Sequence, residues 1–260
     1  MGESETLRAM SMTAFQAGDY DAMVDYLEKA FAIQLQTGYM VGQASSNLFR
    51  GYTRFMKGEI VEGRILVQLA LDQAIDIADY STQAWSFSML SMMKSTSAEY
   101  MTAEDDLAQA RAIEIDPFRQ TGAGNPFLQL HINLAGCILH VGRKNYERAR
   151  SYLIQPLNLA IATSSHPYMT ILLTPAIIMY ANTARLERAA KLLGLAESQS
   201  SHASGWMKHW MLLEKTKSGL QANLGQAAFD RAFDNGQLLD LATTVAEISR
   251  DFHRDDKETE

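Results

Sequence analysis

Three side chains with chemical capacity fall close together in the sequence: His131, Cys137 and His140. Cys137 and His140 stand three residues apart, so on a helix they share a face. Imidazole and thiolate both bind zinc, but a closed site takes four ligands, and no further pair follows at metal-ligand spacing. A thiolate nucleophile with a histidine base would need a third group to orient the ring, and none stands where it could. The expectation is no catalytic residue, no metal and no cofactor. His131 stays a secondary candidate for binding. A second cluster reads His202, Trp206, Lys208, His209 and Trp210. Trp206 and Trp210 share a helical face, either as packing at the end of an array or as a stacking platform for a sugar or a partner aromatic. The run Thr121-Gly122-Ala123-Gly124 is glycine-rich but lacks the Gly-Lys-Ser/Thr ending of a phosphate loop. Glu104, Asp105 and Asp106 read as a solvated helix face.

Composition narrows the field. The chain has 260 residues, 47% of them apolar and 20% charged, enough to bury a core and against global disorder. Its net charge is -7, with no cluster of Lys and Arg, so nucleic acid is not an expected partner. One cysteine excludes an internal disulfide framework and fits a reducing, cytoplasmic compartment. The polar start, MGESETLRAM, is no secretory signal. Met1-Gly2 with Thr6 satisfies the short myristoylation pattern, but no membrane anchor is expected from so common a motif. The most apolar run, 171 to 181, is broken by Thr174 and Pro175 and is too short to span a bilayer.

The elements that position these residues are repeated. Phe15 to Ala30 reads FQAGDYDAMVDYLEKA: Gly18 stops one helix, Asp19 caps the next, and Met23, Leu27 and Ala30 follow at helical spacing. The skeleton returns forty residues on with Gly58, Gly63, Val67 and Ala70, and again with Ala98, Ala103, Leu107 and Ala110. A fixed period of this size marks stacked helical hairpins. The units fall at about 4–38, 43–78, 81–115, 127–163, 168–198 and 205–250, the last an atypical one of three helical segments (205–223, 226–233 and 238–250), with 251–260 as a charged flexible tail. Residues 116 to 126, DPFRQTGAGNP, interrupt the array as a long loop, either a plain connection or a ligand-facing hinge. Pro156 and Pro175 fall inside helices, where Pro156 is expected to kink its helix or end it early and Pro175 to bend its own.

The repeat skeleton resembles the tetratricopeptide repeat. Gly18, Tyr20, Leu27 and Ala30 match that family's pattern, as do Gly51, Gly58, Val67 and Ala70, and then Ala103, Leu107 and Ala110. Met23 and Pro156 stand where alanine is usual, and the period exceeds the family's roughly 34 residues. The segments ERAAKLLGLAE (Ala189, Leu192, Leu193, Gly194, Ala196, Glu197) and LGQAAFDRAFDNGQLLDL (Leu224, Gly225, Phe229, Phe233, Gly236, Leu239) resemble the closing part of the repeat region of large bacterial signalling ATPases and LuxR-type transcriptional regulators. The resemblance implies an all-α, right-handed superhelical solenoid of about six TPR-like hairpins. It also implies a regulatory role beside a linked ATPase or effector domain, neither of which lies in these residues.

A solenoid of this kind binds on its concave face, lined by the first helix of each unit. The groove candidates are Arg8, Met12, Phe15, Leu48, Tyr52, Phe55, Met56, Trp85, Ser88 and Met92, with His131, Trp206 and Trp210 behind them. Such methionine and aromatic side chains suit an apolar peptide or a small ligand. The same pattern also arises where helices pack on each other. The expected function is a non-catalytic protein- or peptide-binding scaffold of a bacterial signalling regulator. The alternative is a small-ligand sensor, for a sugar or metabolite, that relays occupancy to an effector.

Overall fold

The computed structural model describes residues 2–116, 125–199 and 202–257, and the side chains of these except 202–204 and 255–257. The loop motif at 117–124, the His202 side chain, Met1 of the myristoylation pattern and the end of the tail lie outside the described residues. Thirteen α-helices and one 3₁₀ stretch are present among the described residues, and no strand. Five hairpins come first: α1 (Gly2–Ala17) with α2 (Tyr20–Thr37), α3 (Met40–Lys57) with α4 (Ile60–Asp76), α5 (Tyr80–Thr96) with α6 (Tyr100–Glu114), α7 (Pro126–Gly142) with α8 (Tyr146–Ala162), and α9 (His166–Asn182) with α10 (Leu186–Ser198). The chain ends in the 3₁₀ stretch His202–His209, then α11 (Met211–Leu224), α12 (Gln226–Gln237) and α13 (Leu241–Lys257). This is an all-α, solenoid-like repeat array.

One turn design joins the helices. A residue with positive φ follows eight of the helices, directly at 18, 38 and 58 and one place further on at 78, 98, 144, 164 and 184. From 18 to 98 and from 144 to 184 the beat is twenty residues, half the period read from the sequence. At Gly18 the amide bonds to the Phe15 carbonyl (2.9 Å) and the next amide, of Asp19, to the Ala14 carbonyl (2.9 Å). That pairing satisfies the last carbonyls of the helix in the Schellman manner. The same pair of bonds recurs at Ala78, Ala98, Lys144 and Ser164. The residue after the turn caps the next helix: the Asp19, Asp79 and Asn145 side chains accept from backbone amides three residues on.

Hairpins close because small residues sit where helices cross. Gly51 of α3 lies against Gly63 of α4 so closely that a Cβ at Gly51 would meet the Gly63 carbonyl oxygen at 2.7 Å. The even-numbered helices α2, α4 and α6 bury one stripe and form an outer layer. The inner helices bury far more. In α9 every residue from Pro167 to Tyr180 is buried. A helix apolar on all sides belongs in a core, and α9 is the post of the array. This accounts for the apolar run noted in the sequence. No described helix is long and apolar enough to cross a membrane.

The structure answers three of the expectations from the sequence. Pro156 does not end its helix early, since α8 continues to Ala162, and α9 runs on past Pro175 to Asn182. The sixth unit, expected to be atypical with three helical segments, is the 3₁₀ stretch and three helices, with α12 on α10 and α13 returning to α8 and α9. The segment after 250 is not free. α13 runs to Lys257, Phe252 is buried and stacks on Tyr180 (5.3 Å), and Asp251 accepts a hydrogen bond from the Tyr180 hydroxyl (2.9 Å).

The array also bends until its first two hairpins touch the fifth and the segment that follows it. α1 touches α9, and the 3₁₀ stretch touches α3 and α9. The Ser165 hydroxyl donates to the Gln16 side-chain oxygen at 2.6 Å. Phe15 meets Tyr168 edge-on at 5.5 Å, and Phe55 stacks on Trp206 at 5.5 Å. At Gly205 a Cβ would lie 2.4 Å from the Lys57 carbonyl group, so only glycine fits that approach.

Candidate functional site

Closure decides which part of the inner face stays open. Phe15, Leu48, Tyr52, Phe55, Met56, Trp85, Ser88 and Met92 are all buried. The continuous open groove expected from the sequence is therefore corrected. Its deeper half is filled by residues of later units. Tyr168 of α9 covers Phe15, His131 of α7 covers Tyr52 and Trp85, and Trp206 covers Phe55. Burying so much aromatic surface stabilises the closed form more than an exposed apolar channel could. Ser88 gives its hydroxyl to the Trp85 carbonyl (2.8 Å).

What remains open is a cavity of about 480 Å³ at one mouth, where α3, α5 and α7 begin. α1 presents Glu5, Arg8, Met12 and Gln16 along one face, at helical spacing. α3 supplies Ser45, Leu48 and Phe49 as the floor, and α5 supplies Thr82 and Trp85. Asn125 and Phe127, at the start of α7, complete the wall. Arg8, Met12, Leu48 and Trp85 are the sequence candidates that reach it.

The polar groups of the cavity are held in place. Arg8 donates to the Glu5 carboxylate through Nη2 (2.7 Å) and to the Ser45 hydroxyl through Nη1 (3.2 Å). Asp79 accepts from the Thr82 hydroxyl (2.6 Å) while capping α5. Gln16 holds Ser165 across the closing seam. Burial and the neighbouring Glu5 carboxylate raise the Tyr39 hydroxyl above its ordinary pKa, so it remains a neutral donor. Trp85 lies 4.6 Å from His131 and 6.1 Å from Phe49 between ring centres, an aromatic wall backed by core. Two carboxylates, Glu5 and Asp79, face one guanidinium, so the lining leans acidic. These groups can bind and orient a small molecule with one flat apolar side and several hydroxyl or amine groups.

The remaining candidates serve packing. His131 gives or takes a hydrogen bond with the Tyr168 hydroxyl through Nε2 (2.9 Å), and burial lowers its pKa to about 3. Burial pushes the Cys137 thiol upward, away from the reactive thiolate. His140 stacks on Tyr152 (5.3 Å), with its pKa lowered to about 4 chiefly by burial. No group of three His, Cys, Asp or Glu able to hold a metal occurs among the described residues. Trp206 and Trp210 stack on each other at 5.7 Å and are buried. Trp210 edges a second cavity of about 470 Å³ at the opposite mouth, with Tyr100, Tyr146, Lys144 and Lys215. Its lysines suit the carbonyl-rich ends of α5, α7 and α9.

Sequence reasoning missed Gln16, Tyr39, Phe49, Asp79, Asn125 and Phe127. Asp79 and Asn125 were legible as helix caps; that caps of different units gather at one mouth was not. Comparison of the sequence with known protein-family models and with curated proteins finds no match, so the geometry has to carry the functional argument.

Proposed function

We propose that the chain is a non-catalytic sensory module that binds a small organic ligand at this mouth. The observation that carries the reading is that one cavity of about 480 Å³ touches α1, α3, α5 and the start of α7 at once. Its size falls within the usual range for small-molecule sites. A ligand held there favours the closed array over any opened one, because only closure brings the four elements together. Occupancy is thereby converted into stiffness of the whole solenoid, a state that a linked effector can read. The likeness to tetratricopeptide-type arrays of bacterial signalling ATPases supports this role, and the lone reduced cysteine suits the cytoplasm. The filled concave face favours a small ligand over a peptide lying along the groove.

The test is a thermal-shift and tryptophan-fluorescence screen of sugars, amines and other small metabolites. A ligand that prefers the native state must raise its apparent stability. The expected hit raises the melting temperature and alters Trp85 emission. Arg8→Gln removes the charged donor and weakens that hit about tenfold or more. A screen without stabilisation, or a hit indifferent to both Arg8→Gln and Trp85→Phe, sinks the reading.

A further inference from the structure

The outer helices differ at one set of positions. In α4, Val61, Ile65 and Leu69 are exposed, Val61 by 68% and Ile65 by 62%. Counting from the first residue of each helix, the same places hold Asp21, Asp25 and Lys29 in α2, and Glu147, Ser151 and Gln155 in α8. In α6 only Met101 is apolar there, beside Asp105 and Gln109. Four-residue spacing puts Val61, Ile65 and Leu69 on one ridge about 12 Å long, and Ile75, also exposed, falls on the same side of the helix. Isolated exposed aliphatics need no explanation, but a contiguous ridge on one helix of five does.

Charge identifies what fits it. Helices α2, α4 and α6 together carry ten carboxylates against three bases, an excess equal to the net charge of the entire chain. The bases are already engaged. Lys29 pairs with Asp25 (2.6 Å), Arg64 holds Glu99 with two bonds (2.6 and 2.8 Å), and Arg111 lies over the Tyr152 ring. By contrast α8 carries two arginines and one glutamate, and α10 is balanced. The apolar ridge thus lies in the acidic half of the outer layer, with Asp72 and Asp76 continuing its own face.

We infer that this face of α4 is a docking surface for a basic amphipathic helix on a partner protein. Leucine-like side chains at helical spacing would lie over Val61, Ile65 and Leu69, and flanking lysines or arginines would meet the carboxylates. An acidic surface is unsuited to anionic membrane and to a second copy of the same face.

The probe is a synthetic amphipathic peptide with leucines every third or fourth residue and lysines flanking them, followed by fluorescence anisotropy. The comparison peptide has the same composition in scrambled order. The amphipathic peptide is expected to bind at least about tenfold more tightly than the scrambled one, and less tightly as salt rises. Ile65→Ser with Leu69→Ser should erase that preference while leaving the melting temperature in place, because both positions are exposed. Equal binding of the two peptides, or an unchanged preference in the double variant, overturns the proposal. So does self-association of the wild type, measured by sedimentation, that the double variant abolishes.

Discussion

At the scale of single residues, the chemically suggestive side chains His131, Cys137 and His140 are buried, and His131 makes the consequence measurable. Its ring is buried between Trp85, Tyr52 and Tyr168, and its pKa lies near 3, against an ordinary value of 6.5. The native protein therefore declines a proton that the unfolded chain accepts. Above about pH 6.5 both states are neutral and the contribution to stability is complete. Below that value stability falls by about 1.4 kcal/mol per pH unit for each such histidine, until the folded pKa is reached. His140, lowered to about 4, adds to the same acid limb. His131→Gln should make the loss between pH 6 and 4 distinctly shallower, roughly half as steep if these two groups dominate. Urea midpoints measured across that range check it, and an unaltered slope would mean that the native His131 takes up a proton. Of the sequence candidates, Arg8, Met12, Leu48 and Trp85 line the mouth cavity, and 3.6-residue periodicity is what puts each on one face of its helix. Whether that face stays open depends on contacts such as Gln16 with Ser165, 149 residues apart, and periodicity holds no record of those.

At the scale of elements, the repeat is carried by its turns. Gly18, Gly38 and Gly58 take the left-handed conformation at no steric cost, but Ala78, Ala98 and Ala184 adopt it with a Cβ present. The sequence showed the beat at Gly18, at Gly58 and, with alanine at the turn, at Ala98. It concealed the beat at 144, 164 and 184, where lysine, serine and alanine do the same work. Forcing alanine into this region costs on the order of 1 kcal/mol, partly offset by the lower entropy of its unfolded chain. Ala78→Gly and Ala98→Gly are therefore each expected to stabilise the protein, by about 0.5 kcal/mol or more. Within a helix the sign reverses. Gly51→Ala at the α3–α4 crossing should destabilise by about 1–3 kcal/mol through overpacking against Gly63 and Val67. Denaturant midpoints for the three variants test the pair of statements together. If the alanine-to-glycine turns proved destabilising, the positive φ would not be the strain it is taken for here.

At the scale of the whole molecule, closure sets this array apart from an open solenoid. In an open stack each repeat feels only its neighbours, and stability is nearly a sum of local terms. Here Trp206, near the far end, stacks on Phe55 of the second hairpin, and Trp210 stacks on Trp206 in turn. Damage at one end should therefore be felt at the other. Trp206→Ala removes the aromatic from the seam at a cost of about 3–5 kcal/mol, the usual range for such a truncation. Hydrogen exchange should then show α3 and α1 losing protection along with the 3₁₀ stretch, while α6, which lies away from the seam, keeps more of its own. A double-mutant cycle between Phe55→Leu and Trp206→Leu should show coupling of about 0.5–1.5 kcal/mol, the value expected of an aromatic pair in contact. Loss of protection confined to the C-terminal helices, with no coupling to Phe55, would mean that the array behaves as an open stack in solution. The mouth cavity would then lose the rigid frame on which ligand sensing depends, because Gln16 of its wall is fixed by the same seam.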